Sequence, residues 1–505
     1  MVEMDSARLV RGSIYLVTQS VVTTIVGAVA LAFIARILTQ TEMGAVVVLT
    51  LTLGMAQVLS DLGFSGGLTK YVAQYRGEKV DYTSMSFGAV VTKALTAGSA
   101  AGLCFLAAPW LSEFAFRSVE YGFLFQLLSV NILTLCFRTT VNNLLLGVNR
   151  IKEIAVFNVT SMLIAKISAV GFLLCGFGLV GLVIGWTLGE LAYDTLGALV
   201  IMKNRYVRIH PVREVLPHLK TLASFSWPLF LTNAVLFLHS SFDQALLLVY
   251  VQLNEVAIYN VAIRAFGVLA LIPMALTNTL FPYYSEQRGK DEQRKIAAGV
   301  HGSSRYIALL YTPLAFGLMV TANPVITLFA GQRYAAGDTI LSILCLFGAL
   351  AGLVASFGNL LLVYDMTPTT LIINIASVVG SIVMLPVLLP SFGVIGMAIV
   401  KGTALVITLV LTSIALHRRM SIRLDREAVW KSWTAALAMS ATLWSIQRIH
   451  FSVYLLPLYI ILGGTVYAIA LRLLRAVNEN DINLIRSLLG KKATIVAKIA
   501  EKILI

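Results

Sequence analysis

Long apolar runs, separated by short polar segments, follow one another from the start of the chain to about residue 475. Each run is long enough for an α-helix to cross a bilayer, which takes about 20 residues. The pattern predicts an all-α polytopic membrane protein with fourteen helical spans and almost no soluble domain. The predicted spans lie near 11–36, 42–66, 86–111, 121–147, 152–176, 177–203, 219–250, 255–282, 299–330, 336–363, 367–391, 392–417, 429–448 and 451–475.

The lysines and arginines predict the orientation of the chain. Of 38 such residues, 28 fall at the termini and on alternate loops, and six lie within spans. Because positive residues are retained on the cytoplasmic side, we expect a multi-pass protein of the plasma (inner) membrane with both termini cytoplasmic. The net charge of +14 is then explained by membrane topology and by attraction to anionic lipid headgroups, so that no nucleic-acid partner is expected. The opposite loops hold only Arg36, Arg117, Arg333 and Arg448.

Composition agrees with this class. Hydrophobic residues make up 58% of the 505 positions and charged residues 12%, with a mean hydropathy of +0.86. The N-terminus offers no short apolar region followed by a small-residue cleavage site, so we expect Met1 to stay on the mature chain. The cysteines all fall inside apolar runs, which favours buried small hydrophobes over disulfides or metal ligands. They are Cys104, Cys136, Cys175 and Cys345.

The chain carries an internal repeat. The stretch FGLVGLVIG at 177–185 returns as FGVIGMAIV at 392–400. Three further pairs recur at nearly the same separation: YRGE and QRGK, two prolines, and two glutamates at the start of spans. Their positions are 75–78 and 287–290, Pro109 and Pro324, and Glu42 and Glu255.

Four pairs in one register predict two six-helix halves. Since six is even, both halves enter the membrane in the same direction and form parallel repeats, with the transport path between them. The glycines of the FG-x-x-G motif are expected mainly to pack helices closely. The predicted divisions are 1–218 and 219–428 for the halves, 429–475 for two additional spans, and 476–505 for a basic amphipathic cytoplasmic tail.

This layout resembles the multidrug/oligosaccharidyl-lipid/polysaccharide (MOP) flippase superfamily. The eighth span and its end, EVAIYNVAIRAFGVLALIPMALTNTLFPYYSEQRG, are similar to a segment of lipid II and O-antigen flippases. Fourteen spans with a basic tail are typical of the polysaccharide-transporter branch rather than the twelve-span drug exporters. The resemblance implies a lipid-linked glycan substrate, a cavity-facing arginine at Arg264, and a groove for the lipid tail on the two additional helices.

Six basic residues within the spans are candidate substrate contacts, because buried ionisable residues in membranes are often functional. They outnumber the nearby acids Asp61, Glu190, Asp194 and Asp243, and a positive cavity suits an anionic substrate such as a diphosphate. The candidates are Arg264, Lys166, Arg305, Lys93, Arg138 and Lys401.

Several of these candidates have a simpler explanation. Lys93 and Arg305 are separated by nearly the interval of the repeat, and they either occupy matching cavity sites or extend to the headgroups. Arg138 and Lys401 can pair with acids on neighbouring helices. Lys166 lies close to mid-span, where extension to the headgroups is hardest.

Asp243 and Asn374 offer oxygens to a coupling sodium ion, as the same two spans do in some members of the superfamily. Ordinary polar packing is the alternative for both residues. His239, one helical turn before Asp243, is expected to make a hydrogen bond along its helix. The first span carries no acid, unlike that of the cation-coupled drug exporters.

The chain has no Walker lysine loop, HExxH or CxxC motif. The sequence predicts a non-enzymatic flippase for polyprenyl-(di)phosphate-linked oligosaccharide or polysaccharide repeat units, working by alternating access. We expect the lipid-linked glycan and membrane lipids as partners, and no cofactor. Whether Na⁺ or H⁺ drives transport, and whether glycan assembly enzymes bind the protein, stays open.

Two alternatives to the flippase stay open, the second of them from another class of activity. One is a cation-coupled multidrug or metabolite exporter of the same superfamily, which would need an acidic, aromatic-lined cavity. The other is a membrane-embedded glycosyltransferase, which would need a catalytic motif on a large loop, whereas the predicted loops are short. The basic residues within the spans favour the flippase over both.

Overall fold

The computed structural model describes residues 2–418, 424–478 and 481, and regular structure within these residues is helical throughout. Short 3-10 helices occupy Val119–Tyr121, Gln332–Tyr334, Gly352–Ser356 and Val453–Leu455. The α-helices are α1 (Val2–Ile37), α2 (Gln40–Asp61), α3 (Phe64–Glu78), α4 (Thr83–Leu106), α5 (Ala108–Phe116), α6 (Gly122–Gly147), α7 (Ile151–Leu174), α8 (Gly178–Asn204), α9 (Val212–Tyr250), α10 (Leu253–Leu269), α11 (Leu271–Gly289), α12 (Gln293–Val320), α13 (Ala322–Ala330), α14 (Gly337–Ala351), α15 (Leu360–Val363), α16 (Thr367–His417), α17 (Arg426–Ile449) and α18 (Leu456–Leu473).

Many of these helices can cross a membrane. In the described part of the chain, ten spans are long and apolar enough, or up to twelve if each of two bent helix pairs counts as one. The bent pairs are α10 with α11, at 44°, and α12 with α13, at 75°. The predicted all-α, multi-pass class is therefore confirmed, while the count of fourteen stays a prediction. The predicted tail lies outside the described residues, apart from 476–478 and 481.

Some predicted spans differ from the helices at their ends. The second predicted span, 42–66, is interrupted after Asp61, because Leu62 and Gly63 both adopt left-handed φ angles, 46° and 76°. The eleventh and twelfth predicted spans form the single helix α16. That helix has non-helical backbone angles at Gly393, with φ 54° and ψ −134°.

The chain divides into two compact units, Met1–Ala257 and Ile258–Ile505. In the first unit, α7 packs against α1 and α8, and α6 packs against α4 and α8. Helix α9 packs on α2, α3 and α4. Packing therefore groups α9 with the first unit, whereas the sequence repeat starts a new half at residue 219. The repeat boundary stays a prediction.

Small residues bring α7 and α8 close together. A Cβ atom placed on Gly185 would lie 2.5 Å from the backbone nitrogen of Ala169, and one on Gly181 would lie 2.5 Å from Cβ of Phe172. Glycine at these positions lets the two backbones approach, as is common between membrane helices. The close contact positions the polar side chains of α8 described below.

In the second unit, α12 packs against α14 and α17, α14 packs against α16, and α17 packs against α18. One apolar core in this unit contains Tyr284, Ile296, Phe357 and Leu416. Of the two additional helices, α17 is thus fixed mainly to α12, and α18 is fixed mainly to α17. This arrangement brings the start of α17 close to Arg305.

Candidate functional site

Arg264 lies on α10, and its side chain is exposed. Its Nε donates a hydrogen bond to Oδ1 of Asn260, one helical turn earlier, at 2.9 Å, and Asn260 itself is buried. Among the described residues, no carboxylate forms an ion pair with Arg264, and its two Nη groups have no protein partner. The amide fixes one edge of the guanidinium and leaves the other edge for a ligand. Phosphate fits that edge, because it can accept two parallel hydrogen bonds.

Arg138 on α6 is neutralised within the first unit. Its Nη1 lies 2.7 Å and 3.0 Å from the two carboxylate oxygens of Glu190 on α8, and its Nη2 donates to Asn158 on α7 at 2.8 Å. The guanidinium also lies 5.1 Å from the ring centroid of Tyr193. The sequence had left open a pairing of Arg138 with a neighbouring acid, and the structure contains that pair. Arg138 therefore joins three helices.

Lys93 on α4 is buried and forms an ion pair with Asp61, at the end of α2. Ser65 donates to the same carboxylate oxygen. The carboxylate compensates the buried ammonium group, which would otherwise be costly in a membrane. This ion pair explains the lysine without a contact to the headgroups.

Arg305 on α12 binds two carboxylates in the second unit. Its Nη2 donates to Asp481 at 2.7 Å and to the carbonyl of Ala476 at 2.6 Å, and its Nη1 donates to Asp425 at 3.1 Å. The side chains of Asp425 and Asp481 are only 9% and 8% exposed. We call Arg305, Asp425 and Asp481 the arginine clasp. It ties α12 to the start of α17 and to the chain that follows α18.

The remaining candidates stay predictions. Lys166, on α7, is partly buried and interacts electrostatically with Glu190, so it belongs to the surroundings of Arg138. Lys401 and Asn374 are partly buried on α16. Asp243, on α9, is fully buried. Asp243 belongs to the first unit and Asn374 to the second.

The structure adds residues that sequence reasoning missed. Asn260 has no signal of its own beyond its spacing of one helical turn from Arg264. Asp425 has one, since an aspartate just before a helix is a common N-cap, and it accepts a hydrogen bond from the backbone nitrogen of Ala428 at 2.9 Å. Within the described ranges, no three or more His, Cys, Asp and Glu side chains lie together as metal ligands.

Comparison with known proteins decides the family. Residues 33–337, more than half of the chain, match the model of a family described as polysaccharide biosynthesis protein. The chain belongs to this family. The predicted membership of the MOP flippase superfamily, in its polysaccharide branch, is thereby confirmed.

Two curated relatives carry related names. The probable low-salt glycan biosynthesis flippase Agl15 of Haloferax volcanii is 23% identical over 50% of this chain and 54% of its own length. The succinoglycan biosynthesis transport protein ExoT of Rhizobium meliloti is 26% identical over 62% of this chain and 60% of its own. The chain thus spans little more than half the length of these relatives.

Solved structures share the fold. A lipid II flippase, MurJ, in an inward closed conformation matches with a TM-score of 0.76 at 14% identity, covering 94% of this chain and 100% of that one. A multidrug resistance transporter of the MATE family, in the same superfamily, matches with a TM-score of 0.61 at 15% identity, covering 78% and 94%. At these identities the likeness concerns the fold alone.

Proposed function

We propose that this protein is a flippase that moves polyprenyl-(di)phosphate-linked oligosaccharides or polysaccharide repeat units from the cytoplasmic to the outer leaflet. The proposal rests on the environment of Arg264. This arginine lies on an apolar helix, donates a hydrogen bond to the side-chain amide of Asn260, and forms no ion pair with a carboxylate in the described residues. A cation at mid-bilayer costs about 2.5–3.5 kcal/mol on insertion scales. An anionic headgroup offsets that cost when it binds.

The family and the names of the relatives support this substrate class. A polyprenyl phosphate combines a negative headgroup, which an arginine can grip, with a long apolar tail that stays in the bilayer. In our proposal the protein is not an enzyme, and it works by alternating access, opening to one side of the membrane and then to the other. The groove for the lipid tail would lie along α17 and α18.

We propose that the fold has fourteen membrane spans. Helix α16 has 51 residues, or roughly 77 Å at about 1.5 Å per residue, which is enough for two crossings with its break at Gly393. Helix α17, with 24 residues, is long enough for another crossing, although Lys431 and Arg448 lower its hydropathy. Added to the twelve spans above, these two give the predicted number.

Two local motifs support a repeat of six spans. Gly178 and Gly393, which open the FG-x-x-G motifs, both have a φ angle of 54°. The second glycines, Gly181 and Gly396, both lack room for a Cβ atom against the preceding helical segment. The motif therefore has the same backbone and packing role at both positions.

The turns after α6 and α15 also match. Asn149 and Asp365 both adopt left-handed φ angles, 62° and 56°. The arginines of YRGE and QRGK reach these turns, because Arg76 donates to the carbonyl of Val148 and Arg288 pairs with Asp365 at 3.1 Å. Equivalent arginines thus hold equivalent turns, which supports a parallel duplication.

The direct test is a flipping assay with purified protein in proteoliposomes. A fluorescent polyprenyl-diphosphate oligosaccharide should become accessible to a membrane-impermeant quencher, whereas empty liposomes should show no change. A cationic drug-like dye should not be transported. Transport of the dye without flipping of the glycolipid would overturn the proposal and favour the exporter alternative.

We expect both termini to face the cytoplasm in the plasma (inner) membrane. Alkaline phosphatase fused after Ile505 should be inactive, because the enzyme needs an oxidising compartment outside the cytoplasm, while a green fluorescent protein fused at the same place should fluoresce. The loop containing Arg117, which belongs to the opposite loop set, provides the control, since phosphatase inserted there should be active. The reverse pattern would invert the proposed topology.

A further inference from the structure

Asp194 on α8 has a carboxylate oxygen that is buried and makes no hydrogen bond within the part of the chain that the structure describes. That oxygen is Oδ1, and the residue as a whole is partly exposed. Glu190 lies one turn earlier on the same helix and already holds Arg138. An ionised carboxylate with a buried, unbonded oxygen in a membrane helix is unfavourable. The same carboxyl group carrying a proton is much less so.

The surroundings of Asp194 contain one candidate for its charge partner. Helix α8 packs mainly on α6 and α7. From α6, Arg138 and the thiol of Cys136 interact with Asp194 electrostatically, while Lys166 of α7 interacts with Glu190. Ionised Asp194 can therefore compete with Glu190 for Arg138, whereas protonated Asp194 leaves the Arg138–Glu190 pair intact.

The fold does not require these charges. At the equivalent positions of the proposed repeat, the chain has Val354 for Arg138, Leu405 for Glu190 and Leu409 for Asp194. Leu405 and Leu409 lie in the α-helix α16, and Val354 lies in the 3-10 helix Gly352–Ser356, so these segments form with apolar side chains at the three positions. Charged residues that the architecture can replace with leucine or valine are better explained by function than by packing.

We propose that Asp194 is the proton-binding group that couples flipping to a proton gradient. The O–H bond forms when the carboxylate takes a proton from water on one side, and it breaks when the proton is released to water on the other side. This inference rests on the proposed function and names its coupling ion.

The protonation state can be measured without any substrate. Infrared spectra of the reconstituted protein should contain a protonated-carboxyl C=O band at neutral pH that titrates away in alkali and is missing from Asp194→Asn. The matched control is Asp365→Asn, which makes the same change at a carboxylate that is 87% exposed, at a backbone position that asparagine tolerates. That variant should keep the band. A band unaffected by Asp194→Asn would overturn the inference.

Flipping under a pH gradient tests the coupling itself. For one proton exchanged per substrate, about one pH unit should shift the ratio of substrate between leaflets about tenfold. The wild type and Asp194→Glu should respond, and Asp194→Asn should equilibrate the substrate without responding. A gradient response retained by a folded Asp194→Asn variant, or a response to sodium alone, overturns the proton site and leaves the flippase intact. Absence of flipping under all gradients overturns the proposed function, and the infrared result still decides the protonation of Asp194.

Discussion

Replacing Arg264 with alanine is expected to abolish flipping while the protein still inserts and accumulates at the wild-type level. The guanidinium has no carboxylate partner in the described residues, so its removal leaves no acid uncompensated. It would, however, remove the charge and the two parallel donors that grip a phosphate. Losing one partner of such a pair weakens substrate binding by about 2–5 kcal/mol. Each 1.4 kcal/mol corresponds to about a tenfold loss of affinity.

Two further variants separate charge from geometry. Arg264→Lys keeps the charge but loses the fork, so part of the flipping activity should remain. Arg448→Ala removes an arginine from the opposite loop set, where it lies 4.0 Å from the ring centroid of Trp444, and should flip at the wild-type rate. Expression, thermal stability and flipping are measured together on each variant.

The outcome can exclude Arg264 in two ways. Full transport by a stable Arg264→Ala variant would remove it as a substrate contact. Loss of thermal stability together with transport would assign it a structural role, with Asn260 as its partner. Loss of transport at unchanged stability is the result that the proposal requires.

Much of the fold was predictable because membrane helices leave strong local signals. Apolar length and loop charge identify spans one at a time, whereas the division into two halves, which rests on the repeat of FG-x-x-G, stays a prediction. The interruptions were harder to predict. Leu62 has a left-handed backbone although leucine disfavours it, and the bends of 44° and 75° reflect packing that no single window of sequence contains.

The site was less predictable, because charge compensation is a three-dimensional property. The sequence showed six basic residues in spans, but not which acid neutralises each one. Arg138 and Glu190 lie on different helices, and Arg305 and Asp481 are separated by more than a third of the chain. Asp481 lies beyond the last span, where no hydropathy argument would look for a partner. The resemblance to the flippase superfamily predicted Arg264 as a substrate contact, and the structure adds that its Nε donates a hydrogen bond to Asn260.

Breaking the arginine clasp should destabilise the protein more than removing an ordinary surface ion pair. Arg305→Ala would leave Asp481 buried without its cation and would leave Asp425 with only His301, whose Nε2 lies 3.6 Å from its carboxylate. Breaking a buried pair costs about 3–5 kcal/mol. The matched control is Arg288→Ala, whose partner Asp365 is 87% exposed, so that the loss should be about 0–1 kcal/mol. The melting temperature of the detergent-solubilised protein should therefore fall clearly for the first variant and little for the second.

The Asp425 contact of the clasp should depend on pH only under acid conditions. Burial alone would raise the pKa of Asp425. The hydrogen bond from the backbone nitrogen of Ala428 and the nearby Arg305 guanidinium outweigh burial, so the pKa lies below the usual 3.8. A carboxyl group whose pKa is lowered on folding contributes its full stability above the unfolded pKa and loses it only as the pH falls through the folded value. The stability that Asp425 contributes to the wild type should thus be complete above its unfolded pKa of 3.8 and be lost only as the pH falls below that value. Adding Asp425→Asn and Asp481→Asn to the Arg305→Ala variant removes both uncompensated charges and should recover part of the lost stability. If it does not, uncompensated charge is not the cause of the loss. The clasp then acts through the hydrogen bond to Ala476 and through packing.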